Sequence, residues 1–115
     1  MPVEHLPNTA TPDQLAAVLQ RDGCVVVDQL ASVEEIDRVL AEMTPYLEAT
    51  PGGTDDFTGR NTRRTGGLLA RSRTAQELVM HPTVIATCDD VLGHVTGYQL
   101  HLTQVIDIGP GSPAQ

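Results

Sequence analysis

Four of the seven basic residues, Arg60, Arg63, Arg64 and Arg71, gather around the stretch TPGGTDDFTGRNTRRTGG in a chain of net charge -8. Guanidinium groups hold carboxylates or phosphates through paired N–H donors, so a local cluster in an acidic chain can form an anion site. The competing use is pairing with nearby acids such as Asp55 and Asp56. Pairing is the expectation for Arg60 and Arg63. Arg71, within LLARS, is the candidate for a ligand. Gly66-Gly67 makes no phosphate loop, because neither GxGxxG nor GxxxxGK[ST] is present.

Other chemistry-bearing residues point less far. His101, Thr103 and Asp107 would share one face of a strand. His101 and Asp107 would then lie about 20 Å apart at roughly 3.3 Å per residue, too far for one ion. Asp89-Asp90 is an adjacent pair, and neighbouring helical residues do not face each other, so a solvated helix face is expected. Cys24 and Cys88 stand far apart in apolar surroundings, which predicts buried free thiols and a reducing cytosol. Tyr98 and Phe57 could contact a substrate, and for Tyr98, at a strand start, packing is the expectation. No catalytic residue and no metal ligand is assigned.

The elements that must position these groups follow from pattern. Residues 1–10 read as an extended arm. Thr11-Pro12-Asp13-Gln14 predicts a capped helix that stops at Asp22-Gly23. Cys24 to Val27 predicts a short buried strand. Ser32 and Glu35 form a second capping box. Ile36, Val39, Leu40, Met43 and Leu47 then trace an amphipathic helix that Pro45 should kink or end. Residues 50–73 carry no periodicity and read as an Arg/Gly loop. Short helices are predicted over Thr74–Met80 and Thr83–Leu92, separated by His81-Pro82. Residues 97–108 predict one long strand. Leu100, Leu102, Gln104, Ile106 and Ile108 form its core face, and Gln99, His101, Thr103, Val105 and Asp107 its wet face. The order α-β-α-loop-α-α-β gives an α+β class in a single small domain.

Composition excludes more than it assigns. The chain has 115 residues, fifteen acids and no Lys, a balance that argues against nonspecific nucleic-acid binding and against docking on anionic lipid. MPVEHLPNTA has neither a basic nor an apolar signal region, and no apolar run approaches a membrane span, so a cytoplasmic location is expected.

Five pieces in order carry a resemblance: Arg21 to Val27, Ser32 to Leu40, Arg64 to Ser72, His81 to Gly93, and HLTQVIDIGPGSPAQ at the end. Together they resemble the phytanoyl-CoA dioxygenase family of non-haem iron, 2-oxoglutarate-dependent oxygenases. The resemblance implies N-terminal helices plus the first strands of a double-stranded β-helix, a jelly-roll-like barrel. It implies an oxidation, most often hydroxylation, of a lipid or small-molecule substrate with Fe(II), 2-oxoglutarate and O2. Family members continue after the Pro-Gly turn into His-x-Asp, part of a 2-His-1-carboxylate triad. Here His5, His81, His94 and His101 are followed two positions on by Pro7, Thr83, Thr96 and Thr103. The resemblance therefore implies an N-terminal portion that stops short of the metal-binding strand, binds no cofactor tightly and is inactive alone.

By the same resemblance Arg71, Arg64 and Leu69 lie on the substrate side, and Gln104 and Gln115 near the cofactor. A core-bonded amide at Gln104 and a frayed terminus at Gln115 stay open as alternatives. Two other readings also stay open. One is a non-catalytic protein that binds a small ligand or self-associates through an exposed strand edge. The other is one half of a split enzyme.

Overall fold

The computed structural model describes residues 2–113. They form two compact units. One holds residues up to Glu35 together with Glu77–Gln99, and the other holds Ile36–Gln76 and the chain from Leu100 onward.

In the first unit the N-terminal arm is a strand, β1 (His5–Pro7), which pairs in parallel with β2 (Val26–Asp28). His5 lies opposite Val26, and its Nδ1 meets Asp28 Oδ1 at 2.7 Å. The expected strand at Cys24 begins two residues late, because Gly23 closes the preceding helix in a left-handed turn (φ 76°). Cys24 is consequently exposed and Cys88 half-buried, which corrects the expectation of two buried thiols.

Helix α1 (Pro12–Asp22) has the predicted capping box. Gln14 N–H donates to the Thr11 hydroxyl at 3.3 Å, and Thr11 N–H donates to Gln14 Oε1 at 2.9 Å. Leu15 and Val18 turn inward and are buried, and α1 packs beside α5 (Pro82–Leu92). His81 caps α5 by accepting from Thr83 N–H. Just beyond α5, the Tyr98 hydroxyl donates to Asp89 Oδ1 at 2.6 Å. That bond, aided by desolvation, pushes the phenol up to about 12.

The second unit is built on α2 (Val33–Ala49) from Ile36 onward, β3 (Thr62–Gly66), α3 (Leu68–Arg71), the start of α4 (Arg73–Val79) and β4 (Gln104–Ile108). Helix α2 runs through Pro45 to Ala49 and does not end there. Its last turns carry hydroxyl-to-carbonyl bonds, Thr44 to Leu40 and Thr50 to Tyr46, both 2.7 Å. Of the predicted stripe, Met43 is fully buried and Val39 and Leu47 are half-buried, while Ile36 and Leu40 are exposed.

Two expectations change here. The aperiodic stretch 50–73 contains a strand and a helical turn, because β3 finds its partner 38 residues or more downstream, a pairing that local periodicity does not report. The strand expected over 97–108 spans only Gln104–Ile108. β3 is five residues long and ends where Gly67 takes φ 66°, so the residues before Gln104 have no ladder partner.

Candidate functional site

β3 and β4 pair antiparallel, with Thr62 opposite Ile108, Arg63 opposite Asp107, Arg64 opposite Ile106, Thr65 opposite Val105 and Gly66 opposite Gln104. Opposed residues share a face. One face therefore carries Arg63, Thr65, Val105 and Asp107, and the other carries Thr62, Arg64, Gly66, Gln104, Ile106 and Ile108.

The first face is satisfied. Arg63 Nε donates to Asp107 Oδ2 at 3.1 Å, and its Nη1 donates to the Leu47 carbonyl at the same distance. The Thr65 hydroxyl, buried, donates to the Thr50 hydroxyl at 2.8 Å. The second face is open along β4, where Ile106 and Ile108 are 43% and 58% exposed, while Thr62, opposite Ile108, is buried. Leu100 and Leu102, just upstream, are exposed as well. This departs from the expected arrangement, in which the apolar side of the strand met the core and the polar side met water. The polar side is half-buried, and Arg63 with Asp107 and Thr65 with Thr50 satisfy one another there, which burial of polar groups requires.

The corner after β4 is tied to the residue before β3. Gly109 N–H donates to the Asn61 carbonyl at 2.7 Å, and the Asn61 amide donates to the Pro110 carbonyl at 3.4 Å. A side chain at Gly109 would press within 2.8 Å of that Asn61 carbonyl.

The residues assigned from sequence fall in two places. Gln104 and Arg64 come together on the open face, one register step apart. Gln104 is half-buried and Arg64 exposed. Leu69 and Arg71 lie on α3. Leu69 is half-buried, and its N–H donates to the Thr103 hydroxyl at 3.4 Å. The Arg71 guanidinium lies over the Tyr46 ring, 4.6 Å from its centroid. Gln115 lies outside the described residues. Arg60 pairs with Asp56 at 3.2 Å, as expected. Arg63 reaches across the sheet to Asp107 and leaves Asp55 and Asp56 alone. Asp55 instead accepts from the Thr58 hydroxyl, and from Thr58 N–H, each at 2.6 Å, and these bonds hold its carboxyl below the usual range.

Two contributors had no signal in the sequence. Tyr46 was one more residue of a helix, and its ring meets Arg71 only through tertiary structure. Glu42 is the other. Its carboxylate accepts from the Ser72 hydroxyl and from both the N–H and hydroxyl of Thr74. The Ser72 bond leads in holding that carboxyl below its ordinary value, against the opposing effect of desolvation. Ser72 in turn accepts from Ala75 N–H at 3.0 Å, so the chain is fixed immediately after Arg71.

Among the described residues no three His, Cys, Asp or Glu side chains come together as a metal site. No helix among them is long and apolar enough to cross a membrane.

The open part of the sheet thus carries two isoleucines with an amide and a guanidinium beside them. The model of the phytanoyl-CoA dioxygenase family matches residues 19–115, and the chain belongs to that family. It is similar to the multifunctional dioxygenase prhA of Penicillium brasilianum, at 30% identity over 98% of this chain and 40% of the relative. It is similar also to the dioxygenase FrzG of Cladobotryum sp, at 29% over 98% of this chain and 42% of the relative. A third similar protein is the Fe(II)/2-oxoglutarate-dependent dioxygenase nvfF of Aspergillus novofumigatus, at 28% over 96% and 41%. The chain spans about two fifths of the length of these curated relatives.

Proposed function

We propose that this chain is the N-terminal portion of a cytoplasmic double-stranded β-helix oxygenase that hydroxylates a small-molecule or lipid substrate with Fe(II), 2-oxoglutarate and O2. The described residues do not fit an iron site, and no step through the metal is assigned to them. Their part is to build a wall. Ile106 and Ile108 supply an apolar lining that keeps water from a reacting centre. The Gln104 amide serves the cofactor side, as does Gln115. Arg64, Arg71 and Leu69 serve the substrate side. The observation that carries this reading is the uncovered Gln104–Ile106–Ile108 face, in a chain that matches only two fifths of its relatives' length.

The reading predicts that the isolated 115-residue chain, given Fe(II), 2-oxoglutarate and O2, releases no succinate. A longer protein carrying these residues at its N-terminus does, and Gln104→Ala lowers its rate. Succinate from the isolated chain would refute the reading. The same exposed face, with unpaired strand edges on a two-stranded sheet, also favours a second reading: a non-catalytic chain that self-associates, or half of a split enzyme. A monodisperse dimer with a cooperative melt, in a chain never joined to further sequence, would put that reading first.

A further inference from the structure

We infer that Arg71, held on the ring of Tyr46, is a docking point for an oxyanion, carboxylate or phosphate, carried by the substrate. The inference rests on the substrate-side placement of Arg71 proposed above and adds the ligand's chemical class and the residue that positions the guanidinium.

The first ground is how the other arginines are spent. Arg21 pairs with Glu4 and Asp22, Arg60 with Asp56 and Arg63 with Asp107. Arg64 and Arg73 have interactions of their own. Arg38 acts on Glu42. Among the described residues Arg71 has no carboxylate partner, in a chain where acids outnumber bases fifteen to seven. Its guanidinium lies instead on the Tyr46 ring.

The second ground is what stacking leaves free. A guanidinium over an aromatic ring uses its face. Its N–H donors lie in the plane, at the edge, and remain unspent. A flexible arginine pays rotamer entropy to meet an anion, and one already stacked has lost part of that freedom. The backbone supports the same geometry. Gly67, at φ 66°, puts no side chain beside the Arg71 Nε, and the Ser72 hydroxyl between Glu42 and Ala75 fixes the residue that follows. A fixed, edge-open guanidinium matches the two oxygens of a carboxylate or phosphate.

The test is a titration that needs no turnover. The Arg71 Nε–H resonance of the 115-residue chain is followed with inorganic phosphate, octanoate and 2-oxoglutarate in turn. Phosphate and octanoate should each move it, while Arg38 stays still. Arg71→Gln should abolish the response, and Arg71→Lys should weaken it by losing the fork. Tyr46→Leu should weaken binding about two- to fivefold, the worth of an exposed cation–π contact. Both side chains are exposed, so these variants leave the core intact.

Three results would overturn the inference. A still Arg71 resonance, or equal movement at Arg38, would mean no site. A response to 2-oxoglutarate alone would assign Arg71 to the cosubstrate. Unchanged affinity in Tyr46→Leu would remove the tyrosine's positioning role. None of these bears on whether the longer protein releases succinate, so the oxygenase reading fails or survives separately.

Discussion

The two faces of the β3–β4 sheet share one backbone and one ladder, yet they resolve their side chains in opposite ways. On the Arg63–Asp107 face the donors and acceptors are spent within the second unit, on one another, on Leu47 and on Thr50. On the Gln104–Ile106–Ile108 face isoleucines stand open. Hydrophobicity alone would have put the isoleucines inward, since each fully buried one is worth about 1.5–3 kcal/mol. The polar groups of the other face are half-buried or buried and find partners in one another. The lesson is that an open apolar face in this chain is a surface to be covered or to cover something, and its neighbours are built to hold it in place.

The largest effect should come from the corner that holds β4 to β3. Gly109→Ala forces a methyl to within 2.8 Å of the Asn61 carbonyl, so the backbone must shift. We expect a loss of about 2 kcal/mol in unfolding free energy by urea denaturation. Gly66→Ala is the contrast. It lies on the open face with nothing within 4 Å of the new methyl. Alanine is a better strand residue than glycine, so stability should rise by about 0.5 kcal/mol. If both glycines respond alike, the sheet is not anchored at that corner.

A middle-sized effect separates the faces directly. Asp107→Ala leaves the half-buried Arg63 without its carboxylate. Both side chains are more than a third exposed, 38% and 41%, so screening limits the cost to about 1 kcal/mol. Ile106→Thr keeps β-branching on the open face and should cost less than about 0.5 kcal/mol. A larger cost at Ile106, growing with protein concentration, would mean a second copy covers that face in solution.

How far the sequence could be read follows the same division. Capping boxes at Thr11 and Ser32, the Gly23 stop and the His81-Pro82 break are local signals, and the helices they bound are where they should be. The family and the α+β class were legible from ordered short pieces. Strand β3 was not, because TRRTG carries no alternation of apolar residues and gains its state only from β4. The length of β4 was overread for the matching reason: His101 and Leu102 alternate well but have no ladder to join. Which side of β4 faced inward also escaped, since that depended on Arg63 and Thr50, far away in sequence. Arg64 and Gln104 were found as single residues, and only the register brought them to one face. The Arg71–Tyr46 stack spans 25 positions and had no local trace.

The smallest effect lies off both faces, where α2 is tied to the chain after Arg71, and it is a response to acid. Glu42 is the anion of that tie, and its bonds to Ser72 and Thr74 hold its carboxyl below the ordinary 4.5. A carboxyl whose folded value is depressed adds stability that is fully present above the unfolded value and lost as pH falls through the folded one. The tie between α2 and the start of α4 should therefore be intact at neutral pH and fade below about 4.5. Glu42→Gln removes the titrating group, so its urea midpoint should start lower at neutral pH and fall less on acidification. Asp22 and Asp55, also depressed, remain in both proteins and set a common background. Identical acid limbs in the two proteins would show that Glu42 contributes nothing titratable. Protection of the Ser72–Ala75 amides from hydrogen exchange should drop with the wild-type limb, while the β3–β4 amides, whose bonds do not involve Glu42, keep theirs to lower pH.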